Sequence, residues 1–273
     1  MDAPLRLMAV LAHPDDESLG VGGALATYAA RGVETYVVTA TRGERGRYFT
    51  NEDRPDDAEV GRVREGELRA AARELGVREV TLLDYLDGEL DRANPVEAVG
   101  RIVAELRRVR PQVVVTFDPF GAYGHPDHVA ICQFTTAAVA AAADPAYQPD
   151  SGPPHRVAKL YYFVSDEGKW AAYQAAFKTL VSRVDGQERR ATPWPEWSIS
   201  ARIDTRDQWE TVWRAVRRHE TQLAVYGQLG ELTAEHHAAI WGTQTFYRAA
   251  SLVNGGRAQE TDLFDGIPRT GGR

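Results

Sequence analysis

Two apolar runs in this chain end abruptly in charge. Arg6-Leu7-Met8-Ala9-Val10-Leu11-Ala12 leads straight into His13-Pro14-Asp15-Asp16-Glu17, and Val113-Val114-Val115-Thr116-Phe117 is followed by His125-Pro126-Asp127-His128. Apolar runs of this length read as strands buried on both faces, the pattern of a parallel sheet covered by helices. Each strand delivers a turn carrying histidine and carboxylate side chains. A fold that sets the two strand ends side by side brings those turns together.

The spacing of the remaining elements fits such a fold. Strands are expected near residues 5-12, 34-40, 78-84 and 112-118, separated by helices near 18-31, 59-75 and 95-109. This βαβα order predicts an α/β fold, a Rossmann-like and mostly parallel sheet flanked by helices. Asn94 before Pro95 is an N-cap and first-turn pair; Val96, Val99, Val103 and Leu106 recur at helical spacing, and Pro111 closes the segment. Leu68, Ala71, Ala72 and Leu75 form a similar stripe that stops at Gly76. A helix follows Pro126 and runs to Ala143, and the four prolines between Asp144 and Pro154 mark a loop.

The last third is expected to elaborate this core. It holds a strand at Lys159 to Val164, an amphipathic helix from about Asp166 to Leu180, and an irregular connection or lid over 184-198. Thr205 is expected to cap a helix running through His219, and Gln244 to Ala249 forms a final strand. The expected organisation is one domain over 1-273, with both motifs in an α/β core at 1-143 and substrate-site elaboration at 144-273.

Composition narrows the function classes. A chain of 273 residues buries most of the surface it exposes when unfolded, so its core needs no metal staple. The net charge of -7, with Arg interleaved among Glu and Asp from Arg62 to Glu74, argues against a nucleic-acid partner. The single cysteine, Cys132, excludes an intrachain disulfide. There is no signal-like segment and no apolar run near the roughly 18 residues of a membrane span, so a cytoplasmic protein without a transmembrane segment is expected.

Functional residues of open α/β sheets gather at the carboxyl ends of the strands, where both motifs fall. Pro14 forces a turn after His13, and Asp16 can fold back toward the same ion. His125 and His128 straddle Pro126, which suits the first position of a helix, and only one of them need bind a metal. Imidazole nitrogens with a carboxylate oxygen are the ligand set of a zinc hydrolase.

These motifs resemble the zinc-dependent de-N-acetylases of the LmbE-like, or PIG-L, superfamily. The resemblance is carried by Ala12-His13-Pro14-Asp15-Asp16-Glu17 and Tyr123-Gly124-His125-Pro126-Asp127-His128. Weaker echoes are Thr41-Arg42-Gly43-Glu44, Arg64 with Glu67, His219-Glu220-Thr221-Gln222 and Glu260-Thr261-Asp262-Leu263-Phe264. It is nearest to the thiol-biosynthesis branch, the mycothiol- and bacillithiol-type deacetylases and conjugate amidases. One departure is Arg47, after Gly46, where some close relatives carry an acidic residue.

The resemblance implies a hydrolase removing acetyl from an N-acetylglucosaminyl or related amino-sugar conjugate, with Zn2+ on His13, Asp16 and His128. It implies Asp15 as general base, His125 as an imidazolium meeting the oxyanion or the departing amine, and Asp127 orienting a histidine. Tyr123 is implied as an oxyanion donor and Arg64 as a substrate-positioning cation. An amidase cleaving a larger amide of a thiol-sugar conjugate and a non-catalytic sugar-binding protein are the competing readings. A homo-oligomer is compatible with both, and ferrous iron competes with zinc.

Other features read as packing. Cys132 lies one helical turn after His128 but suits a small buried position. His219 and Gln222 could contact substrate, whereas His236 and His237 are expected to stay outside the site. Gly20-Val21-Gly22-Gly23 is not a dinucleotide fingerprint, because Leu25 stands where the third glycine belongs.

Overall fold

The structure is a computed structural model describing residues 4-176, 181-184, 186-256 and 258-268. The strands are β1 (Arg6–Leu11), β2 (Glu34–Thr41), β3 (Glu79–Tyr85), β4 (Val113–Thr116), β5 (Lys159–Val164), β6 (Val181–Val184), β7 (Gln187–Arg190), β8 (Ala201–Asp204) and β9 (Thr243–Ser251). In the first half the helices are α1 (Asp16–Leu19), α2 (Gly22–Ala30), α3 (Asp57–Glu74), α4 (Pro95–Val109), α5 (Gly121–Gly124) and α6 (Pro126–Ala141). They continue with α7 (Glu167–Ala176), α8 (Trp209–Val216), α9 (Leu223–Tyr226) and α10 (Ala234–Trp241).

A seven-stranded sheet runs β3-β2-β1-β4-β5-β9-β8. The strands from β1 to β5 pair in parallel, and β9 lies antiparallel between β5 and β8. This is the mostly parallel sheet expected from the alternating pattern, extended by three strands of the last third. Strand order reverses between β1 and β4, which pair from Leu7 with Val113 to Ala9 with Val115. A crevice opens at such a switch point, at the carboxyl ends of the two strands. Both motifs leave the sheet there.

The buried strands explain their own sequence. Leu7 through Ala12 and Val113 through Val115 are almost wholly shielded, which a continuous apolar run permits and an alternating one does not. Helix α4 begins as expected, with Asn94 accepting from the N–H groups of Val96 and Glu97 and Pro95 in the first turn.

Three expectations change, and one lies partly outside the described residues. The helix expected over 18-31 is broken into α1 and α2 where Val21 leaves helical geometry (φ −129°, ψ 11°), beside a Gly20 whose Cβ would lie 2.8 Å from the Asp16 carbonyl and 3.0 Å from the Phe163 ring. The segment 184-198 is not wholly irregular: β7 pairs with β6 as a hairpin, its four residues all exposed and without apolar alternation. Thr205 does not cap a helix through His219. Its hydroxyl donates to the Trp241 carbonyl, and α8 starts only at Trp209 and ends at Val216. Helix α7 is described to Ala176, and residues 177-180 of the expected helix lie outside the described residues.

The C-terminal segment is tied to the sheet by charge. Glu260 accepts from Lys159 Nζ at 2.6 Å, Tyr161 Oη at 2.6 Å, Asn254 Nδ2 at 2.6 Å and pairs with Arg248 at 2.8 Å. The Lys159 side chain has no exposure. Glu260→Ala leaves that ammonium buried with its carboxylate gone, so a loss of about 3–5 kcal/mol is expected. Chemical denaturation measures it; a change below about 1 kcal/mol would contradict the tie.

Candidate active site

Strand β1 hands over to a tight turn. Asp15 sits at φ 106°, ψ −25°, and Asp16 opens α1. The Asp16 carboxylate folds back on the strand end, its Oδ2 accepting from the N–H groups of Ala12 (3.2 Å) and His13 (2.8 Å). After β4, positive φ at Gly121, Ala122 and Gly124 reverses the chain so that α6 starts at Pro126. His128 is then fixed in the first turn of α6, stacked on Phe117 at 3.9 Å, with Nδ1 3.3 Å from the Gly121 carbonyl. A neutral ring donating through Nδ1 leaves Nε2 as a ligand lone pair.

That Nε2 lies 3.2 Å from His13 Nδ1 and 3.6 Å from Asp16 Oδ1, and His13 Nδ1 lies 3.8 Å from Asp16 Oδ2. Tetrahedral ligands at about 2.0–2.2 Å from one ion stand about 3.4 Å apart, and the separations here are near that value, with the two imidazoles facing different oxygens of Asp16. The far nitrogen of His13 supports this. Its Nε2 is 3.1 Å from both Asp127 Oδ2 and Asp87 Oδ1, the carboxylate backing that directs the other nitrogen to a metal. Asp127 is itself fully buried and anchored by the N–H groups of Gly88 (2.7 Å) and Leu90 (3.1 Å). A ring nitrogen of His125 also clusters within 4.8 Å of those of His13 and His128.

Burial and close packing of these groups shift their protonation strongly. Burial pushes Asp16 up to about 7, against the opposing pull of His13. Burial would pull His13 down, but Asp127, Asp87 and Asp16 together raise it well above the usual range. Burial and the neighbouring His13 charge drive His128 well below. His125, the N-cap of α6, accepts the Asp127 N–H at Nδ1 (3.2 Å), and burial followed by the His13 charge lowers it to about 4.

The sequence-predicted residues meet around one cavity of about 340 Å³, lined by His13, Asp15, Asp16, Arg64, Tyr123, His125 and His128. Tyr123 lies edge-on to His128 at 5.3 Å, and burial raises its phenol. Arg64 is buried and mostly engaged: Nη1 donates to the Gly43 carbonyl (2.8 Å), Nη2 to the Pro14 carbonyl (2.6 Å), and Nη2 lies 3.3 Å from Asp15 Oδ2. A Cβ at Gly43 or Gly46 would collide with this guanidinium, which accounts for the glycine in Thr41-Arg42-Gly43-Glu44. Gln222 also lines the cavity, donating to the Arg47 carbonyl at 2.7 Å.

Other residues go elsewhere. His237 is packed among Trp209, Trp213 and Trp241, His236 interacts with Thr233, and Cys132 is buried outside the cavity wall. Asp87 was not anticipated. A lone acid between Leu86 and Gly88 has no motif around it, and its signal is only its place just past the end of β3.

Fold and site define a class: an α/β enzyme with a His/Asp/His cluster able to hold a metal ion in the switch-point crevice of a parallel sheet. Residues 8–139 match the family model PIG-L, GlcNAc-PI de-N-acetylase. The chain is 36% identical, over 96% of its length and 97% of the relative's, to a 1D-myo-inositol 2-acetamido-2-deoxy-alpha-D-glucopyranoside deacetylase of Streptomyces avermitilis. It belongs to the PIG-L family and is an N-deacetylase.

Solved structures share the fold. N,N'-diacetylchitobiose deacetylase from Pyrococcus horikoshii superposes with a TM-score of 0.68 at 21% identity, over 89% of this chain and 83% of the other. The 4-carboxy-2-hydroxymuconate hydratase of Pseudomonas putida gives 0.67 at 21%, over 93% and 100%. A hydratase on the same fold means that architecture alone does not name the reaction. Among the described residues no helix is long and apolar enough to cross a membrane.

Proposed function

We propose that the chain hydrolyses the acetamide of an N-acetylglucosaminyl conjugate with a polyhydroxylated aglycone of the inositol type, using zinc on His13, Asp16 and His128. The observation that carries this reading is the mutual approach of those three ligand groups, at 3.2 to 3.8 Å, on the wall of a cavity. The inositol aglycone comes from the curated relatives. Bound there, the ion would acidify a water and polarise the amide carbonyl.

The protein groups do the rest. Asp15, beside the ligand set and steadied by Arg64, accepts the water proton at its carboxylate and returns it to the departing amine. His125 suits a neutral role better than the imidazolium inferred from the motif. With Nδ1 accepting a backbone N–H, its proton sits on Nε2, an uncharged donor for the developing oxyanion. Tyr123 faces the same region and supplies a second donor. Asp127 and Asp87 hold the His13 ring.

Helix α7 lines the same cavity with Lys169, Trp170 and Tyr173, the two aromatic rings nearly parallel at 5.7 Å. Aromatic rings lining a cavity beside polar catalytic groups suit a sugar, which has one apolar and one polar face. Trp170→Ala is expected to raise KM about 3- to 10-fold, near 1 kcal/mol of ring contact, with kcat held within about twofold. A fall in kcat at constant KM contradicts that assignment. The reading as a whole is tested by amine release from N-acetylglucosaminyl-inositol and from a cysteinyl-sugar conjugate, using zinc-loaded and iron-loaded protein side by side. Preference for the cysteinyl amide overturns the deacetylase assignment in favour of the amidase.

A further inference from the structure

The catalytic turn holds a backbone conformation unusual for its residue type. Asp15 is not glycine, yet it holds φ at 106°. Such a conformation persists only where the surroundings over-determine it. Its N–H donates to Glu17 Oε2 at 3.0 Å, while the other oxygen of Glu17 accepts from Ser18 and lies 2.7 Å from His219 Nε2. Glu17 is 0% exposed and His219 1%.

We infer that His219 is a positioning residue for the catalytic base, acting through Glu17 on the Asp15 backbone. The inference rests on the reading of Asp15 as base. His219 does not line the cavity, so direct substrate contact does not explain its burial. Its Nδ1 is buried with no hydrogen-bond partner among the described residues, so one ring nitrogen is left unsatisfied while the other is set on Glu17. The turn that carries it is clamped. Thr221 donates from both N–H and hydroxyl to Glu67 at 2.7 Å, its carbonyl accepts from Phe49 N–H at 2.8 Å, and Gln222 reaches the Arg47 carbonyl. His219 is thereby a fixed post, 202 residues from its partner in sequence, against which the catalytic turn is registered.

Carboxylate placement is the step at risk, because proton transfer needs hydrogen-bond reach and small displacements cost rate. His219→Ala is expected to lower kcat about 10- to 100-fold, with KM within about twofold and full metal content. His219→Gln, which keeps a donor facing Glu17, should recover kcat to within about threefold of the parent.

A cycle with Asp15→Asn separates the causes. If Asp15 is the base and His219 acts through it, His219→Ala adds no further loss in the Asp15→Asn background. Additive loss there, a loss that follows metal content, or a change confined to KM overturns the inference and leaves the base intact. Full activity of Asp15→Asn alone overturns the base reading instead. Should the alanine variant not fold, Glu17→Gln enters the same cycle with the same expected non-additivity.

Discussion

Asp15→Asn is expected to lose about 10²- to 10⁴-fold in kcat, the range that a positioned general base contributes. Asparagine is nearly isosteric, keeps an oxygen for Arg64, and tolerates positive φ better than most residues, so the turn at φ 106° should survive. Alanine at this position would add backbone strain to the loss of the carboxylate and blur the result. Zinc should remain bound, because the expected ligands are His13, Asp16 and His128 and none of them changes. The measurement pairs steady-state kinetics with metal stoichiometry and melting temperature. Retained turnover at full metal occupancy would remove Asp15 from the mechanism; loss of metal would instead move it into the ligand set.

What the sequence reveals and what it hides follow from how each signal is encoded. The β1 and β4 strands are legible because burial on both faces demands continuous apolar runs, and their order and parallel pairing follow from the helices between them. The meeting of His13, Asp16 and His128 is legible because a turn at a strand end needs few residues to be recognised, and Pro14 and Pro126 fix where each turn begins. Asp87 is hidden because its role depends on where β3 ends in space relative to His13, a relation with no local pattern. Thr205 misleads for a related reason: a threonine ahead of a helical run looks like a cap, but the Trp241 carbonyl takes its hydroxyl. The β6-β7 hairpin is missed because Gln187 through Arg190 are exposed and carry no alternation to read. Glu17 lies inside the best-recognised motif, yet its partner His219 comes from a segment whose own echo states no function.

Stripping the metal should reduce turnover to background, restored by zinc, and the acid-rich site predicts how the affinity depends on pH. In the metal-free protein burial raises Asp16 to about 7, and the surrounding carboxylates hold a proton on His13. Both must release protons before they can serve as ligands, so metal affinity falls as pH drops below about 7 and levels off above the last of these ionisations. The stability sign follows from the same shift. Asp16 has a folded value raised above its unfolded 3.8, so its favourable protonated form supports the stripped fold at low pH and that support is lost as pH rises through about 7. The bound ion reverses this for Asp16, because a ligating carboxylate is stable once deprotonated. The stability gap between loaded and stripped protein should therefore widen from about pH 5.5 to about pH 8, reaching about 4 kcal/mol where free zinc is about 1,000-fold above Kd, and the melting temperatures should separate with it. Calorimetric titration at the two pH values and paired melting curves measure it. An affinity flat across that window would mean that the ion does not displace protons from Asp16 and His13, and undiminished turnover after thorough stripping would remove the ion from the reaction.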